Sequence, residues 1–219
     1  MLRFNDPTLM PGTGETPQQR LSGALALEGT RGQSYVEKRG IPVVKAHEAG
    51  VRFDPDWNGR EAVIVPMRDD QGTLCALHGR YLQQIGKQNK MFTIGHTGGI
   101  ISVNGIVETN AIILVEGLFD ALSIAACGYS ALTTVGRWAS WLPEFCSGHA
   151  VLLAFDAGRS GEATAALYRQ RLQGAHIHRV LPPDRCKDWN TALLKRGRMV
   201  ISRCLQEALC LSTPNTLQL

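Results

Sequence analysis

The sequence lacks the features that would indicate a zinc-binding, disulfide-bonded or membrane-spanning protein. Its six cysteines never form a C-x-x-C pair, so neither a zinc ribbon nor a disulfide framework is predicted. No apolar stretch approaches the ~18 residues that a membrane span requires, and the first six residues contain no signal-peptide core. Internal repeats are absent as well. We therefore expect a soluble, cytoplasmic protein with reduced thiols, no zinc and no membrane partner.

Charge and hydrophobic content are both ordinary for a globular protein. Hydrophobic residues make up 44% of the 219 residues and charged residues 19%. The formal net charge of +4 is mildly basic and is compatible with a polyanionic partner, but it does not by itself indicate one. A chain of this length can bury a core as one domain or as two small ones.

Composition and hydrophobic pattern divide the chain into four predicted regions. The first is rich in proline, glycine and polar residues, whereas the second contains alternating and β-branched runs and the third alternates strand with helix. The four regions are a flexible N-terminal arm (1–30), an α+β subdomain (31–108), an α/β domain (109–197) and a C-terminal helix or tail (198–219).

Local patterns predict the elements inside these regions. In the first two regions we expect helices at 18–27 and 34–40, and an antiparallel hairpin that joins 62–67 to 73–81 through a turn. From residue 111 the alternation of strands and helices requires crossover connections and therefore a parallel sheet. The strands are predicted at 111–115, 131–135, 150–155 and 176–181, and the helices at about 118–127, 138–145, 160–173 and 189–196.

Two apolar runs of the α/β region each end in a carboxylate. Residues 111–115 are followed by Glu116, and residues 151–155 are followed by Asp156. An apolar run of about five residues is typical of a strand buried on both faces, and open α/β sheets bind ligands at the carboxyl ends of such strands. Because neighbouring carboxylates repel one another, a cation such as Mg²⁺ would offset their repulsion. The pattern therefore predicts a metal and phosphate site.

Two further acids lie in the same α/β region. Asp120 lies one turn into the helix after Glu116, and Asp188 follows the last predicted strand. Each has an alternative interpretation: Asp188 or Asn190 could N-cap the next helix, and Asp120 could be a solvated helix position. We expect the four acids to meet at one edge of the sheet.

These acids, with their neighbours, resemble the Toprim domain, the metal-binding module shared by primases and topoisomerases. The resemblance rests on Glu116-Gly117 with Asp120, on Phe155-Asp156 with Gly161, and on the segment 187–190, which reads KDWN. It implies a Rossmann-like parallel sheet flanked by helices, with a glutamate in proton transfer and aspartates that bind Mg²⁺ or Mn²⁺. The catalytic residues that it implies are Glu116, Asp120 and Asp156, and the metal ligands are Asp120, Asp156 and Asp188.

The upstream region resembles the small α+β subdomain in the catalytic core of DNA primases from phages and mobile elements. The matching residues lie at 59–60, 66–69, 72, 78–82, 87–90 and 97–99, so that the whole resemblance covers about 31–197. It implies that Arg80 and Lys90 line a groove for template and nucleotide, although Lys87 and Lys90 could also be an ordinary solvated face. The residues expected to bind nucleic acid or nucleotide are Arg80, Lys87, Lys90, Arg159 and Lys187.

One loop departs from the Toprim pattern. The family has Asp-x-Asp with a glycine three residues later, and here Gly158 occupies the position of the second aspartate. One anionic ligand fewer weakens the binding of a hard cation. We hypothesise that one metal site remains and that Arg159 contacts phosphate in place of a second metal. Glu162 is either a substitute acid or a residue that complements the helix dipole.

Three functions are compatible with these residues. The first is a primase core that makes short RNA primers on single-stranded DNA from nucleoside triphosphates. The second is a catalytically weakened Toprim module that binds nucleic acid and assists a replication partner, and the third is a Toprim nuclease. Because no zinc-binding cluster is present in the sequence, a primase of this kind would work with a helicase or with a separate zinc-bearing template-recognition protein.

Overall fold

The computed structural model describes residues 6–105 and 111–212. The chain divides into two compact units, unit 1 with Met1–Ile101 and Arg137–Ala139, and unit 2 with Ser102–Gly136 and Ser140–Leu219. The predicted boundary between residues 108 and 109, the first five residues of the predicted arm and the end of the predicted tail lie outside the described residues. Among the helices that are described, none has the length and apolar character needed to cross a bilayer.

Unit 1 is built on a four-stranded antiparallel sheet in the order β1-β2-β3-β4. The hairpin predicted at 62–67 and 73–81 is confirmed, because Ala62 pairs with Tyr81 and Met67 pairs with Ala76. Asp69 organises its turn by accepting hydrogen bonds from the backbone N–H groups of Gln71 and Thr73. The strands are β1 (Arg52–Trp57), β2 (Arg60–Arg68), β3 (Leu74–Tyr81) and β4 (Met91–Gly95).

One face of this sheet carries a hydrophobic core. Side chains of β1 to β4 alternate, so that every second residue lies on this face. The buried members are Met10, Trp57, Ala62, Ile64, Leu77, Tyr81 and Ile94. Trp57 also donates its indole N–H to the carbonyl of Phe92 at 3.2 Å, which satisfies the polar atom of a fully buried ring.

The described part of the predicted flexible arm, residues 6–30, packs onto unit 1, which corrects that prediction. Met10 is only 3% exposed, and the guanidinium of Arg20 donates to both carboxylate oxygens of the buried Asp54 at 2.6 and 2.8 Å. Leu25 exchanges two backbone hydrogen bonds with Phe53. The prolines and glycines of this stretch form turns between packed residues, and composition alone does not reveal those contacts. The helices of unit 1 are α1 (Pro17–Gly23), α2 (Arg31–Glu37) and α3 (Val43–Glu48).

Unit 2 contains a five-stranded sheet in the order β5-β7-β6-β8-β9. The strand β6 pairs in parallel with both β7 and β8, and β8 pairs in parallel with β9, so the predicted parallel sheet with helical connections is confirmed. The strands are β5 (Ile101–Val103), β6 (Ala111–Leu114), β7 (Ala131–Thr133), β8 (Ala150–Leu153) and β9 (His176–Arg179). The helices are α4 (Leu118–Ala125), α5 (Leu142–Cys146), α6 (Arg159–Arg171), α7 (Trp189–Arg196) and α8 (Arg198–Ser212).

The segment after β7 differs from its prediction. The strand expected at 131–135 ends at Thr133, because Val135 has a φ of 46°, which is outside the β region. The helix expected at 138–145 begins only at Leu142, where Pro143 suits a first helical turn. Residues 137–139 belong to unit 1, although the sequence on both sides of them belongs to unit 2.

Candidate active site at the carboxyl ends of the parallel strands

The central strands of unit 2 bring Glu116 and Asp156 to the same edge of the sheet. β6 and β8 are neighbours in parallel register, with Leu114 opposite Leu153, so residues that follow both strands leave the sheet side by side. Within the described residues, the Oε2 atom of Glu116 is buried and has no hydrogen-bond partner. An unpaired buried carboxylate oxygen costs free energy, which is tolerated mainly where a site uses it.

Asp156 carries an unfavourable charge at this edge. Burial and, after it, the charges of Glu116 and Asp188 raise the pKa of its carboxyl to about 6, against the opposing effect of Lys187 and Arg179. The carboxylates of Glu116 and Asp188 must therefore lie near Asp156. A raised carboxyl pKa in a group of acids is typical of functional sites.

Asp120 is buried in the first turn of α4, which excludes the alternative of a solvated helix position. Its Oδ1 accepts hydrogen bonds from the backbone N–H groups of Trp189 at 3.0 Å and Asn190 at 3.2 Å, both in the first turn of α7. Burial raises the pKa of Asp120 to about 7, helped by the charges of Asp156 and Asp188, although the two N–H donors act in the opposite direction. The positive end of α7 thus holds this carboxylate in position.

Buried side chains fix the junction of α4 with α7. The ring of Trp189 is fully buried and donates its Nε1–H to the carbonyl of Ala154 at 2.7 Å. Asn190 donates its side-chain amide to the hydroxyl of Ser123 at 3.1 Å, and that hydroxyl donates to the carbonyl of Phe119. These contacts hold α7 beside α4 and so maintain the hydrogen bonds to Asp120.

Asp188 is the N-cap of α7 and also lies near the other acids. It N-caps α7, because its Oδ1 accepts the backbone N–H of Thr191 at 2.6 Å. Its charge also raises the pKa of Asp120 and of Asp156, so it belongs to the same group of acids. The neighbouring Lys187 is exposed, and its backbone carbonyl accepts the N–H of Ala157, which ties the segment to the loop after β8.

The loop between β8 and α6 depends on two glycines. A Cβ atom at Gly161 would lie 1.8 Å from the carbonyl oxygen of Asp156, so no side chain fits there. Gly158 has φ 100° and ψ −177°, a backbone conformation that is essentially restricted to glycine. A residue that restored the second acid of the Toprim pattern at position 158 would meet open space but a strained backbone. Arg159 follows as an exposed residue in the first turn of α6.

Arg179, at the end of β9, was not identified from the sequence. Its Nη2 donates to the carbonyl of Asp156 at 2.7 Å, and its Nε donates to Glu162 at 3.0 Å. Its Nη1 donates to three further carbonyls, those of Leu153, Phe155 and Val180. Glu162 is therefore engaged by Arg179 rather than free to replace the missing acid. No sequence signal separates this arginine from a solvated one, because most of its partners are backbone carbonyls more than 20 residues away in sequence.

Carboxylates are ligands that Mg²⁺ prefers, so the acids at this edge are the residues that could hold such an ion. In the described parts of the chain, no three acid, cysteine or histidine side chains form a group that could hold a metal ion on its own. Proteins often bind Mg²⁺ through one or two carboxylates together with substrate phosphates. Asp120 and Asp156 could hold such an ion, since burial and the charges of neighbouring acids raise the pKa of both carboxyls and a cation would offset that effect.

The predicted basic residues of unit 1 lie on β3 and on the loop after it. Arg80 is half-buried on β3, whereas Lys87 and Lys90 are exposed on the loop that leads to β4. That loop borders a cavity of about 520 Å³, where the guanidinium of Arg60 stacks 3.3 Å from the centre of the Tyr81 ring. The cavity is lined by Asn58, Arg60, Tyr81, Lys87, Gln88, Asn89, Met91 and Phe92.

Comparison with known families identifies the domain that carries the acids. Residues 111–199 match the family described as Toprim domain. This part of unit 2 is therefore a Toprim domain, as the resemblance of the acidic motifs predicted. A comparison with curated protein sequences found no match.

Solved structures extend the likeness to most of the chain. The zinc-binding and RNA polymerase domains of Aquifex aeolicus primase are similar at 17% identity and a TM-score of 0.69, over 87% of this chain and 59% of that one. A DnaG primase catalytic domain bound to single-stranded DNA is similar at 17% identity and a TM-score of 0.67, over 89% of this chain and 80% of that one. The primase fragment of the bacteriophage T7 primase-helicase is similar at 20% identity and a TM-score of 0.60, over 77% of this chain and 72% of that one. The protein thus has the fold of primase catalytic cores, an antiparallel α+β unit followed by a Toprim domain.

Proposed function

We propose that the protein is a primase-like core that joins ribonucleotides into short RNA primers on a single-stranded DNA template in the presence of Mg²⁺. The observation that carries this proposal is the group of acids around Glu116, Asp120 and Asp156 at the carboxyl ends of β6 and β8 in a Toprim domain. The fold of primase catalytic cores supports it. Chemistry of this kind depends mainly on positioning and on neutralising phosphate charge, which such a group of acids provides through a bound cation.

Glu116 is the proposed proton acceptor. The buried Oε2 of this residue makes no hydrogen bond within the described residues, so it is available to take the proton of the attacking primer hydroxyl. The carbonyl of Glu116 accepts the hydroxyl of Thr133 at 2.9 Å, which fixes the backbone that presents the carboxylate. The residue therefore combines a fixed backbone with an unpaired side-chain oxygen.

Asp120 and Asp156 are the proposed metal ligands, with Asp188 next to them. Mg²⁺ would neutralise charge on the phosphates of the incoming nucleotide. Asp120 is held by two backbone N–H groups of α7, and the carbonyl of Asp156 is held by Arg179. Both residues thus keep their positions although their charges repel each other.

The basic residues are the proposed contacts to nucleic acid and nucleotide. Arg159 and Lys187 flank the acids in sequence and are exposed in unit 2, so they are suited to binding phosphate. In unit 1, Arg80, Lys87 and Lys90 are the proposed template-binding residues. A helicase, or a protein that supplies zinc-dependent template recognition, is the proposed partner, because the T7 relative is part of a primase-helicase and the Aquifex relative includes a zinc-binding domain.

Primer synthesis on single-stranded DNA tests the proposal. We expect wild-type protein with Mg²⁺ or Mn²⁺ and labelled ribonucleotides to give short products, and Glu116→Gln to abolish them. Glu207→Gln, at an exposed position of α8, is the matched control and should leave synthesis unchanged. Loss of template without synthesis would instead identify a nuclease, and DNA binding without either reaction would identify a non-catalytic module.

The second candidate is a weakened Toprim module that binds nucleic acid and assists a replication partner. The specific observation in its favour is Gly158, which removes the second acid of the Toprim loop and adopts a conformation that glycine alone accepts readily. Under this alternative, DNA binding is unaffected by Glu116→Gln, and no primer forms with either metal.

A further inference from the structure

One face of the unit 1 sheet carries two arginines on either side of a buried histidine. His78 and Arg80 are two residues apart on β3 and so share a face. Arg137 donates its Nη2–H to the carbonyl of Gly95 at 2.9 Å, and Gly95 pairs with Ala76, two residues before His78. The order along β3 is therefore Arg137, His78 and Arg80, all within unit 1.

The histidine between them is neutral. His78 is 3% exposed, and its Nδ1 is hydrogen-bonded to the hydroxyl of Thr93 at 2.8 Å. Burial and, after it, the charges of Arg80 and Arg137 lower its pKa to about 4. Both guanidinium groups therefore lie near the imidazole, and the histidine adds no positive charge to the cluster at neutral pH.

Neither arginine has an acidic partner among the residues that the structure describes. Within residues 6–105 and 111–212, the ion pairs include neither Arg80 nor Arg137. The Nε of Arg80 is buried, and in the same residues nothing accepts a hydrogen bond from it. Burial lowers the pKa of Arg137, which shows that this guanidinium has also lost part of its hydration. Two like charges that are partly desolvated and lack a counterion cost free energy unless a ligand compensates them.

We infer that Arg137 and Arg80 together bind phosphate groups, with the neutral His78 between them. This inference rests on the proposed function, which supplies two sources of phosphate: the DNA template and a nucleoside triphosphate. Guanidinium groups match phosphate oxygens with paired hydrogen bonds. The pairing of Ala76 with Gly95 places the anchor point of Arg137 about 13 Å along β3 from Arg80, with His78 midway between them.

Binding by arginine variants tests the inference. Arg137→Gln and Arg80→Gln are compared with Arg203→Gln, which removes an exposed arginine of α8. The probes are a fluorescent oligo-dT, followed by anisotropy, and inorganic tripolyphosphate, followed by calorimetry. We expect Arg137→Gln to weaken the binding of at least one probe about tenfold. If oligo-dT binding is weakened, the slope of its log binding constant against log salt concentration should fall in magnitude by about 1. If only oligo-dT binding is weakened, the bound phosphates belong to the DNA template. If only tripolyphosphate binding is weakened, they belong to the nucleotide.

His78 provides an independent readout. A bound phosphate offsets the repulsion from both guanidinium groups, so saturating probe should raise the pKa of His78 in an NMR titration. The exposed His47 of α3 serves as the internal control and should not shift. The inference is overturned if Arg137→Gln binds both probes within twofold of wild type, or if His78 titrates identically with and without them.

The outcomes separate this inference from the proposed function. A wild-type protein that makes no primer, but whose phosphate binding depends on Arg137, would reject the proposed function and leave the phosphate site standing. A variant with Arg137→Gln that binds both probes and synthesises primers like wild type would reject the site alone.

Discussion

Asp120 shows how one buried side chain makes the stability of this protein depend on pH. Its carboxyl is buried between α4 and α7, and repulsion from Asp156 and Asp188 adds to the cost of its negative charge. Because the pKa is higher in the folded protein than in the unfolded chain, the stabilising effect of its proton is complete only below about pH 4. That contribution is lost as the pH rises through about 7.

Replacing Asp120 by asparagine should therefore stabilise the protein at high pH. At pH 8, without metal, we expect Asp120→Asn to raise the free energy of unfolding by up to a few kcal/mol, because the amide oxygen can still accept both N–H donors. The gain should shrink towards pH 4, while primer synthesis is lost. Urea denaturation at both pH values checks this, with the exposed Asp70→Asn as control. An equal destabilisation at both pH values would contradict the expectation.

His78 should give the opposite pH dependence. Its folded pKa of about 4 lies below the ordinary value of 6.5, so the unfolded chain takes up a proton that the folded protein does not. Its contribution to stability is therefore lost as the pH falls from 6.5 towards 4, with a slope of up to about 1.4 kcal/mol per pH unit. In His78→Gln the decrease in unfolding free energy between pH 7 and pH 5 should be smaller than in wild type. An unchanged decrease would show that other groups dominate this range.

At the scale of elements, the glycine loop between β8 and α6 controls where Asp156 is held. Gly161→Ala would bring a methyl group against the Asp156 carbonyl, so we expect a displaced loop and at least a tenfold loss of synthesis. Gly23→Ala, at the end of α1, meets no atom within 4 Å and is the control. Activity of Gly161→Ala within twofold of wild type would show that the loop can shift without consequence.

The position of Gly158 allows strain and charge to be measured separately. Gly158→Asp and Gly158→Asn introduce side chains of nearly equal shape into the same positive-φ conformation, so both should lower the free energy of unfolding by about 1–3 kcal/mol. Only the aspartate adds a ligand, so its Mg²⁺-dependent synthesis should exceed that of the asparagine variant. Thermal denaturation and primer assays on the pair check this, and equal activities would reject a metal role for an acid at this position.

Strong local patterns made some elements predictable, whereas others depend on contacts that are distant in sequence. The apolar runs before Glu116 and Asp156 predicted β6 and β8, and the turn at Asp69 predicted the hairpin, because these signals are local. β1 contains Pro55 and two aspartates, so only its pairing with β2 reveals it as a strand. Arg137 and Arg179 were missed for the same reason, since backbone carbonyls from other elements hold them.

At the scale of the whole molecule, the acids of unit 2 should make metal binding depend on nucleotide. Since the described acids form no group of three around a common ion, we expect weak Mg²⁺ binding to the free protein and tighter binding when a nucleoside triphosphate supplies phosphate oxygens. Calorimetric titration of Mg²⁺ with and without a non-hydrolysable triphosphate checks this, with Asp156→Asn as the variant that should lose the difference. Two equal tight sites in the free protein would contradict it.

The assignment of residues 137–139 to unit 1 affects how the protein can be dissected. A polypeptide ending at residue 101 would leave the Gly95 carbonyl without its guanidinium donor, because Arg137 lies beyond that end. No single cleavage point therefore yields both folding units with all of their residues. Truncation experiments would remove a contact from the first half while appearing to delete only the second, so point substitutions are the more informative way to assign roles in this molecule.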